Sequence, residues 1–281
     1  MQGDAGNVDP DIKSLSTTMT DPKAFKHYHM HDIDSKDIYD TYYGTSADAK
    51  HLDELVIFPL RMTIKEIKTG RIKGDTLIDM SAGPSVFQLF PICTYFKDIT
   101  ILEYNVSCLR EKQKWLHKEP DAYDWSHASE IVAKLEGCSD KWEEREEDLR
   151  KRVKQILKCD FTEENPTHPV ILQKVDCVFN LYMVGHISKD LDTYRCNLVI
   201  ISKMLKLGGR LILVGGFGAS HYTVGAHKYH ILNFHDEDLR KIIKDCGFCI
   251  DHMEVMESKI RSDKLYYHHL FFVSAVKKKE L

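Results

Sequence analysis

Three acids stand at the ends of short apolar runs. Asp79 follows Thr76-Leu77-Ile78, Glu103 ends the run Ile99–Leu102, and Asp160 comes directly after Gln155–Cys159. If these runs are parallel strands, each acid lies at a carboxyl end, where open α/β sheets bind their ligands. A carboxylate after the second strand can accept hydrogen bonds from both ribose hydroxyls, and one after the third can accept from an exocyclic adenine amine. Between the first run and the next element lies Ser81-Ala82-Gly83-Pro84, a turn of small residues that a ligand can approach closely. Three acids in register with such a turn point to an adenosine-containing ligand.

Two such ligands differ in what they ask of the turn. A nicotinamide dinucleotide favours G-x-G-x-x-G, whose amides at a helix start hold the pyrophosphate. Here the stretch reads Ser81-Ala82-Gly83-Pro84-Ser85-Val86, with one glycine and a proline that has no N–H. It is poorly built for a diphosphate. S-adenosylmethionine has none, and its sulfonium and amino groups are cationic, so it is the expected ligand and an NAD-dependent oxidoreductase is disfavoured.

The elements that must position these residues follow from the pattern. Residues 1–20 are polar and aperiodic and read as a disordered extension. Residues 21–281 read as one domain, with a helical cap over 21–73 and a core from Gly74 onward in which strands alternate with helices. Asp53 or Thr63 are the candidate caps in the helical part. Helices are expected from Val86, over Val106–Lys118, over the charged stretch Asp140–Lys158, up to Met204 and over Asp236–Asp245. Strands are expected at Val175–Met183, Arg210–Val214, Cys249–Met256 and Leu265–Val276, the last two as an antiparallel hairpin at one edge. This is a doubly wound α/β arrangement with a mostly parallel sheet.

Composition bounds the function. The 281 residues carry a net charge of −4, which gives no general reason to expect nucleic acid. No apolar run approaches the roughly 18 residues that cross a bilayer, and the acidic N-terminus is unlike a secretory signal. The expectation is a cytosolic monomer with no membrane partner and eight reduced cysteines. Cys246-Gly247-Phe248-Cys249 follows a helix instead of opening one, unlike a redox pair. His27-Tyr28-His29-Met30-His31 and His268-His269 lack a carboxylate or cysteine partner at clear metal spacing.

The chain resembles the small-molecule N-methyltransferase family that includes the nicotinamide, indolethylamine and phenylethanolamine enzymes. The resemblance is carried by Tyr42-Tyr43, GDTLIDMSAGPSVFQL (74–89), EKQKWLHKEPDAYDW (111–125), KWEEREEDLRKRVKQILKCD (141–160), VDCV (175–178), LKLGGRLILV (205–214) and YTVG (222–225). It implies a Rossmann-like methyltransferase fold with an N-terminal cap and S-adenosylmethionine as donor. It also implies cofactor contacts at Tyr43, Ser81, Gly83, Phe87, Glu103, Asp160, Phe161 and Leu181. Ile38, Phe87 and Cys108 stand where the family has two tyrosines and an asparagine.

On the acceptor side the resemblance implies Gly215, Tyr222 and Ile231. Gly215 and Ile231 replace an acid and a serine of the nicotinamide enzyme, and Gly185-His186 replaces an acidic region of related enzymes. Nicotinamide is therefore disfavoured, and another amine, an aromatic nitrogen heterocycle or a thioether is expected. His186 and His221 are the candidate bases or substrate contacts near strand ends. Restoring an acid by Gly215→Asp is expected to favour nicotinamide or a cationic amine. The rival reading is a cofactor-binding protein of this fold that has lost catalysis.

Overall fold

Strand β1 (Thr76–Asp79) has a parallel neighbour on each side, with Leu77 opposite Ile99 in β2 (Asp98–Glu103) and opposite Cys177 in β4 (Val175–Leu181). A strand flanked on both edges and covered on both faces must be apolar throughout, and Leu77 and Ile78 are buried accordingly. The computed structural model describes residues 25–138 and 141–281. Residues 1–20, read as disordered from sequence, lie outside the described residues.

With β3 (Val153–Lys158), β5 (Leu205–Phe217), β8 (Phe248–Glu257) and β10 (His269–Lys277), the main sheet has seven strands in the order β3-β2-β1-β4-β5-β10-β8. The first five run parallel, and β10 lies antiparallel between β5 and β8. The antiparallel edge expected from sequence is present, and the fold is the Rossmann-like one. Strand order reverses between β1 and β4, which puts a crevice above their carboxyl ends. Helix α4 (Val106–His117) packs on β2 and β3, and α8 (Leu191–Met204) packs on β4 and β5. Fully buried side chains such as Leu198 and Leu213 each contribute roughly 1.5–3 kcal/mol to this packing.

A second sheet was not foreseen from sequence. Strand β6 (His221–Val224) forms a hairpin with β7 (His227–His230) and pairs on its other side with β9 (Leu265–Tyr266). Gly225 turns the hairpin at φ 58°, a left-handed conformation that suits glycine. The cap docks here through the Tyr42 hydroxyl, which donates toward the carbonyls of Thr223 at 2.7 Å and Lys264 at 2.9 Å.

Three sequence expectations need correction. The charged segment is helical only over Trp142–Arg152 (α6), because Val153 onward pairs with Ile99–Glu103 as the outer parallel strand. A β-branched and apolar run next to an open sheet edge gains more from the ladder than from continuing the helix. After the glycine turn only two short 3-10 turns form, Phe87–Leu89 and Cys93–Tyr95, since Pro91 cannot continue a helix. The capping residues are Asp34 and Asp48, each accepting from helix-start amides. Thr63 instead donates to the Pro59 carbonyl, and Asp53 lies inside a π-helical run, Leu52–Ile57.

Candidate active site

The turn after β1 is braced from below. Ser81 Oγ donates to Asp79 Oδ1 at 2.6 Å, and Gln88 Nε2 donates to Asp79 Oδ2 at 3.0 Å. Burial pushes the Asp79 carboxyl up to about 6, against the pull of the nearby Lys112 ammonium. The Ser81 hydroxyl is thus engaged inward. Gly83 sits at φ 84°, and its N–H donates to the Tyr28 hydroxyl at 2.7 Å.

That hydroxyl in turn donates to Glu103 Oε1 at 2.7 Å, and the Asn105 N–H donates to the same oxygen at 2.8 Å. The other oxygen, Oε2, lies 3.0 Å from Lys112 Nζ, and both side chains are fully buried. No donor aligns with Oε2 as a hydrogen bond. A buried carboxylate oxygen with unused lone pairs at the end of β2 fits a ribose hydroxyl. Tyr28 comes from the non-helical start of the cap, which is tied down by Lys26 N to Lys228 O at 2.9 Å and by Ser107 Oγ to Ile33 O at 2.8 Å.

Asp160 lies just past β3. Its Oδ1 accepts from the Tyr104 hydroxyl, from Thr162 N at 2.9 Å and from Thr162 Oγ1 at 2.6 Å. Burial raises its carboxyl, but the bonds from Thr162 and Tyr104 outweigh it and bring the group below the usual range. Phe161, Tyr104 and His29 line a recess beside it, of the kind an adenine ring needs. The Tyr28 hydroxyl thus links Glu103 to the glycine turn, and Tyr104, the next residue after Glu103, reaches Asp160. Leu181 is fully buried, and its carbonyl accepts the Ala82 N–H at 2.9 Å.

Beyond Gly83 opens an aromatic pocket over the ends of β4 and β5, lined by Tyr43, Tyr182, His186, Tyr222, Phe271 and their neighbours. Among the described residues no Asp, Glu, Lys or Arg lines it. The His186 and Tyr222 rings stack at 4.7 Å with planes 18° apart, and the Tyr182 ring lies 6.3 Å from His186 with planes 17° apart. Tyr182 holds φ at 66°, unusual for a residue with a side chain and costing on the order of 1 kcal/mol or more. Its N–H is anchored to the Val214 carbonyl at 2.9 Å. Burial brings His186 down to about 3, with His230 adding a little, so its ring is neutral. His186 Nδ1 and Tyr222 Oη are both buried without a partner.

Gly215 and Ile231 also line the pocket. A Cβ on Gly215 would come within 2.5 Å of Phe271 Cζ. The aromatic ring fills the space in which a side chain at 215 would start. His221 does not line the pocket. Alternation along β6 turns it away from Tyr222, and its ring bonds Ser220 Oγ at 2.8 Å and the Asp263 carbonyl at 3.2 Å.

Sequence reasoning missed Tyr28, Lys112, Tyr182 and Phe271. Only Lys112 had a local signal, since Cys108, Lys112 and Trp115 have the spacing of one helix face and are the buried residues of α4.

Known proteins are similar to this chain in sequence and in fold. The model of the NNMT/PNMT/TEMT family matches residues 22–278. The chain is 36% identical to the indolethylamine N-methyltransferase of Oryctolagus cuniculus over 78% of its length and 83% of that protein's. It is 33% identical to the nicotinamide N-methyltransferase of Homo sapiens over 90% of its length and 96% of that protein's. Among solved structures, a SAM-dependent methyltransferase from Methanosarcina mazei superposes with a TM-score of 0.53 at 14% identity, covering 76% of this chain and 98% of that one. The magnesium protoporphyrin IX methyltransferase of Synechocystis with bound SAM gives 0.51 at 15% identity, covering 86% and 91%.

Proposed function

This chain belongs to the NNMT/PNMT/TEMT family, and on that premise we propose that its acceptor is an uncharged aromatic nitrogen heterocycle held in the pocket of His186 and Tyr222. The chain is an S-adenosylmethionine-dependent methyltransferase that methylates nitrogen in small molecules. The observation that carries the finer reading is a pocket without a charged side chain but with two buried, unpartnered polar atoms, His186 Nδ1 and Tyr222 Oη.

S-adenosylmethionine supplies a methyl carbon already activated by its sulfonium. The protein's task is to bring a nucleophile into line with it, at roughly 3–3.5 Å. Glu103 Oε2 and Asp160 hold the adenosine in this reading, with Phe161 and Tyr104 against the base. Tyr43, which packs on Phe87 at 5.7 Å and lines the pocket beside Gly83, separates donor from acceptor side and excludes water. Tyr222 Oη and His186 Nδ1 orient a planar acceptor by hydrogen bonds.

The acid-base chemistry favours a ring nitrogen over an alkyl amine. An alkyl ammonium with an ordinary pKa near about 10.4 must lose a proton before it attacks. His186, brought down to about 3, is too weak a base for that, and no carboxylate lines the pocket to hold the cation. A pyridine-like nitrogen needs neither. For the same reason the departures at Ile38 and Cys108 do not argue for lost catalysis, because no base or metal ligand is missing. Cytosolic residence and a monomeric state belong to the same proposal. No helix among the described residues is long and apolar enough to cross a membrane.

The test is a panel of pyridines, quinolines, indolethylamines, alkyl amines and thioethers with labelled methyl donor. Transfer to the uncharged heterocycles with little to the alkyl amines is expected. Preference for alkyl amines at neutral pH would overturn the acceptor assignment and leave the family membership standing.

A further inference from the structure

Lys112 sits where α4 faces the sheet, between Cys108 and Trp115 on the buried side of the helix, and none of its surface reaches solvent. An ammonium in such a place costs several kcal/mol unless it is paired, and an apolar residue would satisfy the helix pattern. The lysine instead joins the two chain segments that form the floor of the donor site. Its Nζ donates to the Ser81 carbonyl in the glycine turn at 2.7 Å and lies 3.0 Å from Glu103 Oε2 at the end of β2.

We propose that Lys112 is a positioning residue for the methyl donor, holding the Glu103 carboxylate in the orientation that receives the ribose and locking the glycine turn against it. This rests on the assignment of Glu103 to the donor. The geometry explains why a carboxylate can remain useful in a fully dry place. Glu103 Oε1 is committed to Tyr28 and Asn105, and without Lys112 nothing fixes Oε2.

The groups facing Lys112 are Asp79 from β1, Glu103 from β2 and Cys108 from its own helix, with Tyr28 reaching Glu103 from the preceding segment. Burial raises both Tyr28 and Cys108 and keeps them neutral. Asp79 is the reporter. Burial lifts it to about 6, and Lys112 is foremost among the groups that hold it from going higher. Removing the lysine's charge must therefore move the Asp79 titration upward, whereas loosened packing that let in water would move it downward.

The experiment is calorimetric titration of the full chain with S-adenosylhomocysteine from pH 5 to 9, on wild type, Lys112→Met and Lys112→Gln, with thermal melting as the folding check and steady-state kinetics beside it. Both variants should bind at least tenfold more weakly at pH 7.5, with the loss appearing in KM for the donor and not in kcat. Wild-type affinity should fall as pH drops through about 6, where Asp79 takes up a proton and its hold on Ser81 and Gln88 weakens, and in the variants that fall should begin at a higher pH. Wild-type affinity in both variants, or an equal loss at every pH with an unmoved midpoint, would overturn the proposal. If Lys112→Met does not fold, Lys112→Gln decides. Failure of both to fold would assign the lysine to the scaffold and also overturn it. Absence of binding by the wild type is a different outcome, which removes the donor-site assignment itself.

Discussion

His186 lies flat against Tyr222, ring centroids 4.7 Å apart and planes inclined by 18°, and each presents a buried polar atom that nothing in the protein satisfies. Buried polar groups are normally paired. The two atoms therefore mark the place where an acceptor's own hydrogen-bonding groups belong. Tyr222→Phe and His186→Phe should each raise KM for the heterocyclic acceptor severalfold while leaving S-adenosylhomocysteine affinity unchanged. A matching loss of donor affinity would place these rings on the other side of the crevice.

The pH response of His186 has a definite sign. Its folded-state value, about 3, is depressed from 6.5 by burial, so the unfolded chain binds the extra proton first. Its contribution to stability is present above pH 6.5 and is lost as pH falls from there toward 3. His186→Phe should flatten the dependence of melting temperature on pH in that window. In wild type, kcat/KM should show no imidazole titration near 6.5, and a clear inflection there that vanishes in His186→Phe would show the ring to be a working base.

Glu103 and Asp160 should separate binding from folding. Asp160→Ala should weaken S-adenosylhomocysteine binding at least tenfold, about 1.4 kcal/mol, with a modest effect on melting. Glu103→Gln should weaken it as much and also destabilise the chain, because Lys112 is left as a buried charge without its partner. Calorimetry and melting curves read the two quantities independently. Unchanged affinity in both variants would move the adenosine site elsewhere.

Gly215→Asp is not a simple graft of charge. The Phe271 ring stands within 2.5 Å of the position a Cβ would take, so the single substitution forces that ring aside. The expectation from sequence that this variant alone would favour nicotinamide or cationic amines is therefore revised. Gly215→Asp should lower the melting temperature with no new activity, and Gly215→Asp with Phe271→Leu should recover folding and admit cationic amines. A gain of amine methylation by the single variant, at wild-type stability, would contradict this account of the pocket.

Tyr28→Phe removes a hydroxyl that serves both the Gly83 N–H and Glu103. Leaving a buried donor and a carboxylate lone pair unmet should cost about 1–3 kcal/mol, readable by denaturant unfolding. A loss well below that range would mean that the segment around Tyr28 opens freely in solution.

The features from which a donor site is proposed were legible in the sequence because they are local. Asp79, Glu103 and Asp160 each end an apolar run, and because β1, β2 and β3 run parallel all three ends lie on one edge of the sheet. The glycine turn is likewise a property of six consecutive residues, and its poor fit to a diphosphate needs no coordinates. The limits of local reading show at Val153–Lys158, which continues a helical charge pattern but becomes a strand because an open parallel edge is available to it.

What only the tertiary structure decided is everything made by contact between distant segments. His186 lies in a short helix after β4, Gly215 in β5, Tyr222 in β6 and Phe271 in β10, and no spacing in the chain announces that they share a pocket. The same holds for Tyr28, which reaches Glu103 across 75 residues of sequence, and for His221, which β6 turns away from the pocket into bonds with Ser220 and Asp263. Strand-end positions follow from hydrophobic periodicity, a short-range property. Side-chain neighbours across a fold depend on twist, register and packing, which the chain acquires only when all its elements are assembled.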